Sequence, residues 1–205
     1  ETVKAHSQKT VDEYYLDLRN FLRYIRQLHE PEFIGLKLDQ IDIRDIDIDF
    51  IRSITLTDVY SYLAYLSRDR LQRPNSEKSN KGLSASSRAR KVATLRSFFN
   101  YLCNKVHLLP ENPIQDIDSP KIRKTLPCYL TLDESIRLLE TVDGPNSERD
   151  LCILTLFLNC GLRISELIGL NRSDIQDDAL RVLGKGNKVR IVYLNEACKD
   201  AIVMY

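Results

Sequence analysis

The chain has 205 residues, enough for one large domain or two small ones, and its 43% hydrophobic and 29% charged residues are ordinary for a globular protein. No apolar run approaches the roughly 20 residues that cross a bilayer, so no membrane partner is expected, and the first residues show no signal-peptide core. A net charge of +1 argues neither for nor against nucleic acid, but the charge is unevenly spread: Lys78 to Pro110 holds no acid, while Asp39 to Asp58 is acid-rich. Such polarity fits a protein that turns one side to a polyanion. The five cysteines include no C-x-x-C pair and the three histidines are scattered. Reduced, mostly buried thiols, no structural zinc, no cofactor and a cytoplasmic location are the expectations.

A first helix is predicted from Ser7 to His29, with Val11, Tyr14, Tyr15, Leu18, Leu22 and Ile25 on one face, ended by Pro31 and Gly35. The alternating segment Ile41 to Asp49 reads as a short extended piece. Thr57-Asp58 reads as the N-cap of a second helix striped by Val59, Tyr62, Leu63 and Leu66, and Gln72 to Gly82 as a polar loop. A third helix is expected from Ser84 to Val106, with Ala89, Val92, Leu95, Phe99, Leu102 and Val106 inward. Its other face would carry Ser87, Arg88, Arg90, Lys91 and Thr94, hydroxyls between long cations that suit phosphate oxygens. A solvated basic face explains the same pattern.

A short helix is expected over Ile114 to Ile117. Asp118 to Pro127 reads as an exposed basic linker, dividing a domain at 1–117 from one at 128–205. In the second, Thr131-Leu132-Asp133-Glu134 matches a capping box opening a helix to Val142, and Asp143 to Asn146 is a turn. A central, buried helix follows from Ser147 and ends at Gly161. Then come a helix from Arg163 to Leu170, strands Leu180 to Leu183 and Val189 to Leu194 joined by a Gly184 to Lys188 hairpin, and a last helix capped by Asn195. Its apolar face would hold Ala197, Ala201, Ile202 and Tyr205.

Two pieces of the second domain read as chemistry. Arg163 follows an apolar helix and its glycine cap, with Glu166 three residues on to orient it; a guanidinium grips two oxygens of one phosphate. Lys185 stands in a Gly-Lys-Gly turn that can enter a groove, beside Lys188 and Arg190. A structural ion pair and a plain exposed hairpin explain each piece taken alone.

In this order the two pieces are specific. Gly161-Leu162-Arg163-Ile164-Ser165-Glu166-Leu167 followed by Leu183-Gly184-Lys185-Gly186-Asn187-Lys188-Val189-Arg190 resembles the first half of the catalytic domain of tyrosine recombinases, nearest the bacterial Xer group. Ser7 to Val11 with Tyr14, the helix from Ser84 to Tyr101, Asn112-Pro113 and Ser119-Pro120-Lys121 are similar to that group's N-terminal domain and linker. The resemblance implies a mainly α chain: a helical SAM-like core-binding domain, then part of an α+β catalytic domain with a β-hairpin. It implies a C-shaped clamp on a double-stranded DNA core site, and recombinases working as homo- or hetero-tetramers on two duplexes, associated with the nucleoid. By motif match Arg163 would grip the scissile phosphate, Glu166 support it, and Lys185 protonate the leaving 5′-oxygen, with Lys81, Lys121, Lys188 and Arg190 joining the third helix's polar face in binding DNA.

The family's later His-x-x-Arg box and nucleophilic tyrosine find no match. No histidine follows His107, and Tyr193 and Tyr205 fall too early. The expectation is a fragment that binds DNA without cleaving it. Chromosome dimer resolution is the leading task, a phage or mobile-element integrase the alternative within the family, and a non-catalytic DNA-binding regulator the alternative outside it. Changing Arg90 and Lys91 to Glu is expected to abolish duplex binding with the fold intact.

Overall fold

The computed structural model describes residues 7–69, 82–122, 126–184 and 186–205. The chain divides into two compact units, Glu1–Thr125 and Leu126–Tyr205.

The first unit is helical among its described residues: α1 (Gln8–His29), α2 (Ile48–Ser53), α3 (Leu56–Arg68) and α4 (Ala85–Asn104). Its core takes Phe21 and Ile25 from α1, Val59, Tyr62 and Leu66 from α3, and Val92, Leu95, Phe99 and Leu102 from α4. Three- and four-residue spacing puts each set on one helix face. Phe21 is the hub, its ring edge-on to Tyr62 at 5.2 Å and to Phe99 at 6.3 Å. Tyr15, expected on this face, points outward at 59% exposure, and Val106 lies past the end of α4, exposed.

Three local readings are corrected. The Ile41 to Asp49 segment contains no strand: its end, with Asp47 accepting from the Phe50 N–H, starts α2. The segment is pinned by α1, where Arg23 Nε donates to the Ile41 carbonyl and Arg26 to the Asp42 carbonyl and the Asp45 carboxylate. The cap of α3 is Thr55, and Asp58 is the acid that closes its capping box. Ile114 to Ile117 is a turn whose two isoleucines are buried, and Asn112 Nδ2 ties it to Asn100 of α4. Most of the expected Gln72 to Gly82 loop lies outside the described residues.

The second unit contains α5 (Leu132–Glu140), α6 (Ser147–Cys160), α7 (Ile164–Ile168), β1 (Ile175–Gln176), β2 (Ala179–Leu183), β3 (Val189–Tyr193) and α8 (Glu196–Met204). Thr131 and Glu134 form the capping box that the sequence predicts for α5. The strands make an antiparallel sheet in the order β1-β2-β3, with Val182 opposite Arg190 and Leu183 opposite Val189; the two-residue β1 was not foreseen. Leu180 and Val182 point inward to Cys152, Leu156, Leu194 and Cys198.

Against expectation α6 is only partly buried. Cys152, Thr155 and Leu156 are covered, but Leu158 is 38% exposed; α8 and α5 are the helices that pack most against α6. The buried face of α8 is Cys198 and Ala201, with Ile202 beside them; Ala197 and Tyr205 face outward. The thiols are all free, but only Cys152 and Cys198 are buried, and Cys128 is exposed. No described helix is long and apolar enough to cross a membrane.

Candidate functional site

The site begins at the end of α6. Gly161 takes a left-handed conformation, φ 57°, which turns the chain out of the helix at least cost when the residue has no Cβ. Leu162 is buried and anchors the turn. Arg163 then stands at the N-cap of α7, where its backbone is extended. Glu166, on the first turn of α7, folds back to accept the Arg163 backbone N–H on Oε2 at 2.8 Å and Arg163 Nη1 on Oε1 at 2.7 Å. The Arg163 side chain remains 69% exposed, and its Nε and Nη2 have no partner among the described residues. A cation fixed at its root and open at its tip is suited to hold an anion.

Glu166 is nearly sealed from water, its side chain 3% exposed, and it has a second cation that sequence reasoning did not pair with it. Arg190 of β3 donates from Nη1 to Oε1 at 2.8 Å and from Nη2 to Oε2 at 3.0 Å. The Arg190 hydrogen bonds, then the Arg163 N–H and side chain, hold the Glu166 carboxyl down at about 2 against the opposing effect of burial. Two guanidinium groups and one carboxylate leave the cluster with net positive charge. The signal that could have found the pairing is strand alternation: Arg190 shares the inward parity of Val192.

The β2–β3 hairpin adjoins this cluster. Gly186 and Asn187 supply its positive φ, 75° and 62°. Gly184 does not, contrary to the expectation for it. Its N–H donates to the Lys188 carbonyl at 2.8 Å, and a Cβ there would lie 3.3 Å from that oxygen and 3.5 Å from Glu166 Oε1. A side chain at this position would be crowded, with no backbone strain to add to it. Lys188 is exposed; Lys185 itself lies outside the described residues, as does Lys81.

In the first unit the expected phosphate face is largely spoken for. Asp17 of α1 is buried, and its carboxylate accepts from Arg90 at 2.7 and 3.1 Å, Lys91 at 2.5 Å and Thr94 Oγ1 at 3.2 Å. Thr94 is fully buried and the Lys91 side chain 11% exposed, so both leave the expected face for the α1–α4 seam. Arg90, 44% exposed, also reaches Glu13. Changing Arg90 and Lys91 to Glu therefore sets two carboxylates against a buried third, and the expectation of an intact fold is withdrawn. Ser87 is half-buried in the cap of α4, donating its N–H to Ser84 Oγ, and Arg88 is half-buried with its Nε unpartnered among the described residues. Lys121 is exposed. Arg96, not singled out from sequence, donates to the Ile117 carbonyl and to Ser119 Oγ and so ties the following segment to α4.

Comparison with known proteins bears on both units. The model of the phage integrase family matches residues 129–205, and that of the phage integrase N-terminal SAM-like domain matches residues 1–105. The tyrosine recombinase XerC of Caldanaerobacter subterraneus subsp. tengcongensis is 48% identical over 204 residues, covering 100% of this chain and 55% of that protein. The chain thus spans about half the length of that relative. Among solved structures, a lambda integrase (75–356) dimer bound to a COC′ core site matches with a TM-score of 0.65 at 18% identity, over 98% of this chain and 61% of that one. The XerH site-specific recombinase bound to difH substrate, in a pre-cleavage complex, matches with a TM-score of 0.61 at 18% identity, over 95% of this chain and 50% of that one. At that identity the two likenesses establish the fold.

Proposed function

The chain belongs to the phage integrase family of tyrosine recombinases, and on that footing we propose that it serves site-specific DNA recombination by strand cleavage and rejoining through a 3′-phosphotyrosine. The observation that carries this reading is Arg163, held from its own backbone and one Nη by a buried, ionised Glu166 while two nitrogens stay free. Attack on a phosphodiester builds negative charge on the non-bridging oxygens, and a cation already fixed in place stabilises it without reorganising. Lys185, next to Gly184 in sequence, would protonate the 5′-oxygen, a poor leaving group without a proton. A phosphotyrosine keeps the phosphoester bond energy, so rejoining needs no ATP. We assign the nucleophile to no residue of this chain; Tyr193 and Tyr205 are surface side chains.

Both units would contact the duplex, with Ser87, Arg88 and Lys121 of the first and Lys188 of the second among the phosphate contacts and Lys81 as an expected further one. Lys91 and Thr94 are not proposed as contacts, and Arg90 only through whatever reach its pairing with Asp17 leaves it. Identity to XerC over the whole chain favours chromosome dimer resolution in the cytoplasm, by tetramers on two duplexes, over mobile-element integration. The test is to select genomic duplexes with the full-length protein, nick one at its centre as a suicide substrate, and look for a covalent complex. The expected product is protein joined to a 3′-phosphate through tyrosine, formed by the full-length protein and not by residues 1–205 alone. Specific binding with no covalent product from the full-length protein refutes recombination and leaves a DNA-binding regulator.

A further inference from the structure

We propose that Arg190 is a positioning residue, which clamps Glu166 and so aims Arg163 at the phosphate without touching DNA itself. This rests on the reading of Arg163 as the phosphate-gripping cation.

The two arginines divide their donors differently. A guanidinium offers five N–H groups in a planar fork, and a carboxylate has about four acceptor positions. Arg190 commits both terminal nitrogens to the two Glu166 oxygens, at 2.8 and 3.0 Å, while Arg163 commits only Nη1 and its backbone N–H. Each Glu166 oxygen therefore carries one bond to each arginine, and the four acceptor positions are filled. Exposure follows the same division, 38% for the Arg190 side chain against 69% for Arg163.

A carboxylate on a flexible side chain, bonded to Arg163 alone, would follow that arginine as it moved. Bonded as a fork to Arg190, its plane is set by β3, because Arg190 sits in the ladder opposite Val182. β3 is the second strand of the β2–β3 hairpin, and Gly184, which follows β2, approaches Glu166 closely. One clamp thus sets the aim of Arg163 and registers the hairpin base against it. A buried carboxylate between two cations is costly to desolvate, so the triad adds little stability over an apolar replacement of all three groups and is better suited to geometry.

A mutant cycle on the chain itself tests this. Affinity for a short fluorescent duplex of arbitrary sequence is measured from about 50 to 200 mM salt for wild type, R163Q, R190Q and the double variant, with thermal unfolding of each. R163Q removes a phosphate contact, so binding should weaken on the order of tenfold and the salt slope fall by about one. R190Q should weaken binding by about threefold in the wild-type background and have no effect in the R163Q background, where there is nothing left to aim. R190K, which keeps the charge but cannot span both oxygens, should fall between wild type and R190Q. The same cycle run with R190K serves if R190Q does not fold.

Losses that add in the double variant, with a further drop in salt slope, would mean that Arg190 grips DNA directly and would overturn the proposal. So would a loss of thermal stability in R190Q with unchanged affinity. If R163Q binds as wild type does, the phosphate reading of Arg163 falls first and the role of Arg190 falls with it.

Discussion

Asp17 governs the first unit more than any surface cation. It lies three residues after Tyr14 and four before Phe21, in the buried stripe of α1, where an unpaired carboxylate would be expensive. Arg90, Lys91 and Thr94 across the seam satisfy it, and Lys91 is itself almost wholly buried. Removing one member of a buried pair strands the other charge, at a cost of about 3 kcal/mol or more. Asp17→Ala should therefore lower the midpoint of thermal unfolding by roughly 10 °C, as should the Arg90→Glu, Lys91→Glu double change, with loss of helical circular dichroism as the measure. A double variant that melts like wild type and fails only to bind DNA would restore the surface reading. The clue was present in the sequence, an acid at an apolar position of an amphipathic helix. Its partners were not legible, because they lie more than 70 positions away and periodicity says nothing about which face of α4 meets α1.

At the scale of elements, what could be read was whatever local chemistry decides. The Thr131–Glu134 box, the left-handed Gly161 and the β2–β3 hairpin each need only a few neighbouring residues, and each appears where expected. The Ile41 to Asp49 segment misled because alternating Ile and Asp imitates a strand, whereas its course is set by Arg23 and Arg26 of α1. At the candidate site the motif pointed to Arg163 and Glu166, but the Arg190 fork arises from strand register, which sequence does not state. The α6–α7 junction gives a test at this scale. Among the described residues, chain neighbours aside, nothing lies within 4 Å of where a Cβ at Gly161 would sit, so a side chain there meets no clash among them and the left-handed backbone is what resists it. Gly161→Ala should cost about 1 kcal/mol, and Gly161→Asn distinctly less, since Asn tolerates this conformation. Equal unfolding midpoints for the Ala and Asn variants would show that backbone conformation is not what the glycine supplies.

Across the whole molecule, carboxylates in both units are kept ionised by fixed donors, and this ties its stability to pH. Asp45 is held low by Arg26 in the first unit; Glu134 by the Thr131 N–H, Glu166 by Arg190 and Asp174 by the Asn171 N–H in the second. A carboxyl whose pKa is lower folded than unfolded adds stability above its unfolded value, and loses that contribution as pH falls through its folded value. For Glu166 the window runs from 4.5 down to about 2. Unfolding midpoints should therefore hold from neutral pH to near 4.5 and decline below it as the several carboxylates take up protons. Glu166→Gln separates the site from the rest, because its amide does not titrate in this range. The variant should melt below wild type at neutral pH, with two guanidinium groups facing an uncharged partner. The gap should then close between pH 4.5 and 2, as protonated Glu166 in the wild type comes to resemble the amide. A gap that stays constant through that window would mean that the ionised carboxylate contributes nothing to the fold through its two arginines, and that some other feature of the side chain holds the cluster together.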